Sequence, residues 1–358
     1  MLLALAAVAV AALCKAADEP ASAARTAGQA AEHAAAERPV VALLLPLNEP
    51  DFAPPARAVL AGCKEALALV DGDPLIELVS TNASPDQSMA GYKVASERGA
   101  SIVVGPMTRS GVTALAESRK IPTLTIALNT PERPMAMPEN LYTFSLSVDA
   151  EARQVARFAW DDDLQDAVVV QSSSALSKRA GRAFANEWSL LGGKVSDVME
   201  FSTQADLTRI HDRLSISEAD VVFLAANAEG ARTVRPYLNN QIPVFATSQI
   251  NSGRVDALKN LDLNGIRFVE MPWLAQPDNL TAMIFPRPDE LAPELQRFYA
   301  LGIDACRIAN EFLHRRLDIH LEGVTGTLTR RPTGYVRREA IQAIFRDGAG
   351  VAIVPRTR

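Results

Sequence analysis

The chain reads as an α/β protein built of two doubly wound lobes around a central cleft. Apolar runs rich in Val, Ile and Leu alternate with amphipathic segments from Pro39 to Leu274. Those runs are apolar at successive positions, as parallel strands must be when helices cover both faces. The alternation also comes in two sets of similar size. Each is too short to use the whole chain, so right-handed crossovers predict two sheets.

In the first set "VVALLLPL" (40–47) precedes the helical pattern "PARAVLAGCKEALALV" (55–70). "LIELVST" (75–81) precedes "SPDQSMAGYKVASERG" (84–99), "SIVVGP" (101–106) precedes "TRSGVTALAESRK" (108–120), and "PTLTIAL" (122–128) closes the set. "YTFSLSVDAEA" (142–152) is the join, an extended run ahead of a helix opened by Ser147 and Asp149, both N-cap residue types.

The second set pairs "AVVVQSS" (167–173) with "KRAGRAFANEWSLLGG" (178–193), "KVSDVMEF" (194–201) with "DLTRIHDRLS" (206–215), and "ADVVFLAAN" (219–227) with "EGARTVRPYLNN" (229–240). "IPVFATS" (242–248) and "GIRFVEMPWL" (265–274) complete it as strands. A long helix over 293–317 then returns to the first lobe, and short strands over 323–354 cross to the second. The expected bodies are 39–144 with 275–328, and 145–274 with 329–358, joined by three hinge crossings.

Length and composition fit this plan. The sequence has 358 residues, 48% hydrophobic and 22% charged, ample for two cores. A net charge of −6 and the lack of a basic stripe argue against a nucleic-acid partner. "RRPTGYVRR" (330–338) reads as a solvated turn flank.

The first residues are of another kind. "LLALAAVAVAAL" (2–13) is an apolar run of the length of a secretory signal core. Cys14 follows, a candidate for lipidation, while cleavage after Ala16 is the competing reading. A signal peptide over 1–16 and an Ala-rich tether over 17–38 are expected, the tether lacking the large apolar groups needed to build a core. Cys63 and Cys306 fall in two helical patterns and are expected as separate buried thiols, although an exported protein allows a disulfide between them.

Chemistry-bearing residues gather at strand ends. After "IVVGP", Thr108, Arg109 and Ser110 open a helix. No Lys follows the second glycine, so this is no nucleotide phosphate loop, and no Gly-x-Ser-x-Gly elbow is present. The hydroxyls either cap the helix or seat an anionic ligand at its N-terminus, at the carboxyl end of a strand where open α/β sheets bind ligands. Asn48, Asn129, Ser172, Asn227 and Ser248 stand at the other strand ends. They supply hydroxyls and amides without paired carboxylates, which suits neutral hydrogen bonding and not hydrolysis. Trp273 either lines the cleft or plugs the hinge. His33, His211, His314 and His320 are scattered without zinc spacing, so no metal and no cofactor is expected.

These pieces resemble the LppC family of lipoproteins. The resemblance is carried by "VALLLPL", "IVVGPMTRSGVTAL", "IPTLTIALN", "NLYTFSLS", "VVFLAANAEGARTVRPYL", "PVFATSQI", "GIRFVEMPWL", "RFYALGIDACRIA" and "GVTGTLT". It implies the class I periplasmic-binding-protein fold, with two lobes, three crossings and a cleft. It also implies a non-enzymatic role in the periplasm: activating a class A penicillin-binding protein, the peptidoglycan synthase, with any membrane attachment made through a lipid on Cys14 at the outer membrane. The alternative function is a periplasmic solute receptor for amino-acid-like ligands. In amino-acid receptors of this fold the ligand carboxylate sits at the position of Thr108 and Ser110, with an acidic group opposite. The second-lobe strand ends show no compelling acid.

Overall fold

The computed structural model describes residues 38–353. The expected signal segment, Cys14 and the tether up to residue 37 lie outside the described residues. Among these residues no helix is long and apolar enough to cross a membrane.

The first lobe is built on β1 (Val40–Leu45), α1 (Ala53–Leu67), β2 (Leu75–Ser80), α2 (Pro85–Glu97), β3 (Ile102–Val104), α3 (Arg109–Ser118), β4 (Thr125–Ala127) and β5 (Leu141–Thr143). Its strands form a parallel sheet in the order β2-β1-β3-β4-β5. Side chains alternate across β1: Val41, Leu43 and Leu45 join the core under α1, whereas Ala42 and Leu44 join Tyr92, Val112 and Leu115 under α2 and α3. Both faces are covered, which is why the sequence shows no polar alternation there.

The second lobe contains α4 (Val148–Trp160), β6 (Asp166–Ser172), α5 (Ala175–Leu191), β7 (Lys194–Phe201), α6 (Gln204–Ser215), β8 (Val221–Ala225), α7 (Ala228–Val234), β9 (Val244–Ala246) and β10 (Arg267–Glu270). Hydroxyl or amide caps start its helices: Ser147 accepts from Ala150 N at 3.3 Å and Asn227 from Gly230 N at 2.9 Å. Asp149 stands within the first turn and pairs with Arg179 rather than capping.

The strand expected over 265–274 ends at Glu270. Pro272, without an amide proton, cannot extend a ladder and instead opens the helical turn α8 (Pro272–Ala275). The chain then forms α9 (Pro293–Leu313), which lies on α1 of the first lobe. After it, β11 (His320–Glu322), β12 (Thr327–Arg330) and β13 (Val336–Glu339) make a separate antiparallel sheet. The last change of sheet therefore comes at Ala340 and not at 329. Beyond it, β14 (Ile341–Arg346) and β15 (Ala349–Ala352) add antiparallel to β10, giving the order β15-β14-β10-β9-β8-β6-β7.

The α1–α9 contact corrects the expectation of two separate thiols. Cys63 and Cys306 are disulfide-bonded, with Cα atoms 5.3 Å apart. Two glycines let the helix backbones approach closely enough. A Cβ on Gly62 would collide with the carbonyl oxygen of Tyr299, and one on Gly302 with that of Val59. Each glycine thus receives a backbone carbonyl of the other helix, and the thiols are brought within bonding reach.

Candidate functional site

The two sheets point toward a cleft holding a cavity of about 660 Å³, within the size range of small-molecule sites. Arg109 and Asn129 reach it from the first lobe, Arg179, Asn227, Glu229 and Arg232 from the second, and Glu151, Ser248 and Arg297 from its floor.

The floor is a buried charge network. Glu151 of α4 accepts the backbone N–H and hydroxyl of Ser248 at 3.1 and 2.8 Å. Its other oxygen meets Arg338 of β13 at 2.5 Å. Arg338 also donates to the Thr325 carbonyl at 3.0 Å. From α9, Arg297 donates to Glu270 at 2.6 Å and to the carbonyls of Ser248 and Asn251 at 3.1 and 3.0 Å. Asn251 and the Met271 N–H complete the shell of Glu270 at 2.8 and 3.0 Å. Burial draws the Arg297 guanidinium down, but the charge and hydrogen bond of Glu270 outweigh it and the net shift is upward. One network therefore ties α9 and β13 to the second lobe.

Behind it, Asp304 of α9 is completely buried. It accepts from the N–H groups of Val324 and Thr325 at 3.1 and 2.8 Å, from the Thr325 hydroxyl at 2.6 Å and from Arg307 at 3.1 Å. Burial pushes its carboxyl up, opposed by Arg307 and these donors. The contacts fix the loop that leads into β12.

Four of the residues singled out in the sequence line the cavity: Arg109, Asn129, Asn227 and Ser248. The others lie elsewhere. Thr108 is the buried N-cap of α3, its hydroxyl accepting from Gly111 N at 3.2 Å. Ser110 donates to the Ala83 carbonyl at 3.4 Å. Ser172 belongs to a hydroxyl cluster with Ser174 and Ser177. Asn48 is exposed beside β2, its backbone N–H bonded to Thr81 at 2.9 Å. Trp273 is fully buried among core residues, tilted against Tyr299 and covered by Arg287. It belongs to the core and is not among the residues that line the cavity.

Apart from Arg109, sequence reasoning missed the charged lining. Acidic groups do face the cavity, but Glu151 and Glu229 come from first helical turns and Glu294 from the start of α9, not from strand ends. Among the described residues no group of three or more His, Cys, Asp or Glu is placed to hold a metal ion.

Comparison with known proteins places this geometry. The family model described as "LppC putative lipoprotein" matches residues 33–348. A relative named penicillin-binding protein activator LpoA, from Glaesserella parasuis serovar 5, is 26% identical over 76% of this chain and 48% of its own length. The protein of that name from Escherichia coli K12 is 28% identical over 71% of this chain and 44% of its own. The chain thus spans about half the length of the curated relatives it matches. Among solved structures, the C-domain of Haemophilus influenzae LpoA, described as a regulator of PBP1A, superposes with a TM-score of 0.73 at 24% identity, covering 88% of this chain and all of that one. A protein from Chromobacterium violaceum ATCC 12472, described as a putative branched-chain amino acid ABC transporter, gives 0.71 at 33% identity, covering 86% of this chain and all of that one. The two-lobed cleft fold is therefore that of the class I periplasmic binding proteins. Within that fold, the chain belongs to the LppC family.

Proposed function

We propose that this chain is a non-enzymatic cell-envelope protein that regulates peptidoglycan synthesis by binding and activating a class A penicillin-binding protein. The observation that carries the reading is the match of the LppC family model over residues 33–348, nearly the whole described body. The names of the curated relatives agree with it. On the cleft floor Glu151 pairs with Arg338 and Glu270 with Arg297, so these charges serve to tie the lobes together. The Cys63–Cys306 disulfide suits an oxidising compartment such as the periplasm, and Cys14 is the candidate lipid anchor to the outer membrane.

The test is direct. The full chain, tagged and mixed with envelope extract, is expected to enrich a class A penicillin-binding protein. The purified pair should then polymerise glycan faster than the synthase alone. A synthase that neither binds nor accelerates sinks the proposal.

A second reading has its own support. The Chromobacterium violaceum protein is matched over its whole length at 33% identity, and the cavity is of ligand size. Under that reading the cleft captures a solute, with Arg109, Asn129, Asn227 and Ser248 among its contacts. Stabilisation of the chain by amino-acid-like solutes, single or linked, in a thermal-shift screen supports it, and a screen flat for all of them rejects it.

A further inference from the structure

The cavity departs from a site built for one small carboxylate. The hydroxyls of Thr108 and Ser110 are committed to Gly111 N and the Ala83 carbonyl, and neither residue lines the cavity. What faces the space instead is charge of both signs on both walls. From the first lobe come Arg109 and Glu294, from the second Arg232 and Glu229.

These four groups are not used up by the fold. Arg109 donates to the Pro131 carbonyl at 2.7 Å. Arg232 donates to the side-chain oxygens of Asn260 and Ser252 at 2.8 and 3.5 Å. All of those acceptors are neutral, and neither guanidinium makes an ion-pair contact among the described residues, although the Arg232 charge helps hold the nearby Asp256 carboxyl down. Glu229 and Glu294 are exposed carboxylates without an ion pair among the described residues. The other charges at the cavity are spoken for: Arg179 by Asp149, Arg297 by Glu270, Glu151 by Arg338 and Asp256 by Lys259.

Between the charged groups the lining changes character. Gln249 and Asn227 supply neutral amides, and Leu176 and Phe298 supply apolar surface. A ligand that satisfies this lining carries an ammonium, a carboxylate, internal hydrogen-bonding groups and an apolar side chain. A single amino acid holds its two charges on one carbon and satisfies one cation and one carboxylate at most, whereas four such groups face this cavity. A cavity of about 660 Å³ also exceeds what one residue fills.

We propose that the cleft binds a short peptide with free amino and carboxyl ends, gripped by Arg109 and Glu294 on one wall and by Arg232 and Glu229 on the other. The inference is independent of the activator role and narrows the solute-capture reading, on whose cleft it rests.

Calorimetric titration of the full chain with an equimolar dipeptide mixture, trialanine, Ala-Phe and leucine tests it. The peptides are expected to bind, and N-acetylation or C-amidation of Ala-Phe should each weaken binding about tenfold or more, the loss of one charge-assisted contact. Arg232→Gln should lose the preference for a free carboxylate, and Glu229→Gln or Glu294→Gln the preference for a free amine. If leucine binds and the peptides do not, this inference falls while solute capture stands. If blocked and free peptides bind equally, the charge assignment is wrong and the inference falls. If nothing in the panel gives heat, both fall together.

Discussion

Arg338 of β13 and Glu151 of α4, 187 positions apart in the chain, meet as an ion pair that water scarcely reaches, with side-chain exposures of 5% and 7%. Glu151 is held at the same time by Ser248 and Arg338 by the Thr325 carbonyl, so both partners are anchored beyond the pair itself. Breaking one side leaves a charge stranded in the interior. Arg338→Met is expected to cost about 3–5 kcal/mol of stability. Adding Glu151→Met removes the stranded carboxylate and should recover part of that loss. Urea unfolding of the two variants checks the order; equal stability of Arg338→Met and the parent would show that the pair contributes nothing.

The disulfide makes a second prediction. Cys63 and Cys306 lie on α1 and α9, 243 residues apart, and both are fully buried. Replacing both by Ala should lower stability by about 2–5 kcal/mol. Dithiothreitol should lower the melting temperature of the parent and leave that of the double-Ala variant unmoved.

Close packing of the same helices makes a third. Gly302 receives the Val59 carbonyl where any Cβ would stand, so Gly302→Ala must push the helices apart. Overpacking of this kind costs about 1–3 kcal/mol. An unchanged melting temperature for Gly302→Ala would show that the helix pair yields freely.

Acid sensitivity of α6 is the fourth. Hydrogen bonds from the Thr203 hydroxyl and from the backbone of Ser202 and Thr203 hold the Asp206 carboxyl down at about 2, from an ordinary value of 3.8. Together with Thr203 it forms a capping box at the helix start. A depressed acid stabilises the fold above its unfolded value and loses that contribution as pH falls through its folded value. Asp206→Asn should therefore be less stable than the parent at neutral pH. The gap should close between about pH 4 and pH 2, as followed by thermal melts across that range.

The strands and helices were legible because both sheets are covered on two faces, which leaves continuous apolar runs such as 40–45 and 221–225. Local caps are legible in part: Ser147 and Asp149 both stand as cap residue types at the start of "VDAEA", whereas the hydroxyls after "IVVGP" fit a cap and a ligand seat equally until the fold shows Thr108 bonded to Gly111 N. The cleft floor was not. Glu151 looks like one more polar residue on an amphipathic helix, and only a fold that brings residues 151, 248 and 338 together makes it a buried one. Two signals did stand in the sequence. Glu270 interrupts the apolar run "IRFVEMPWL", and Asp304 sits on the apolar side of "LGIDACRIA"; a charge in such a place needs partners. The disulfide was hidden for a related reason, since nothing local in two distant helices says that glycines let them touch.

The placement of α9 bears on how the molecule is born. The first sheet is complete in sequence by Thr143, yet the helix that covers α1 is not made until residues 293–313. A chain leaving the ribosome therefore carries an unfinished first half while the whole of β6–β10 follows it. Val59 and Cys63 remain without the partner that buries them until the last quarter of the chain has emerged. The two halves must then mature together, and a chain cut before α9 would release neither of them whole.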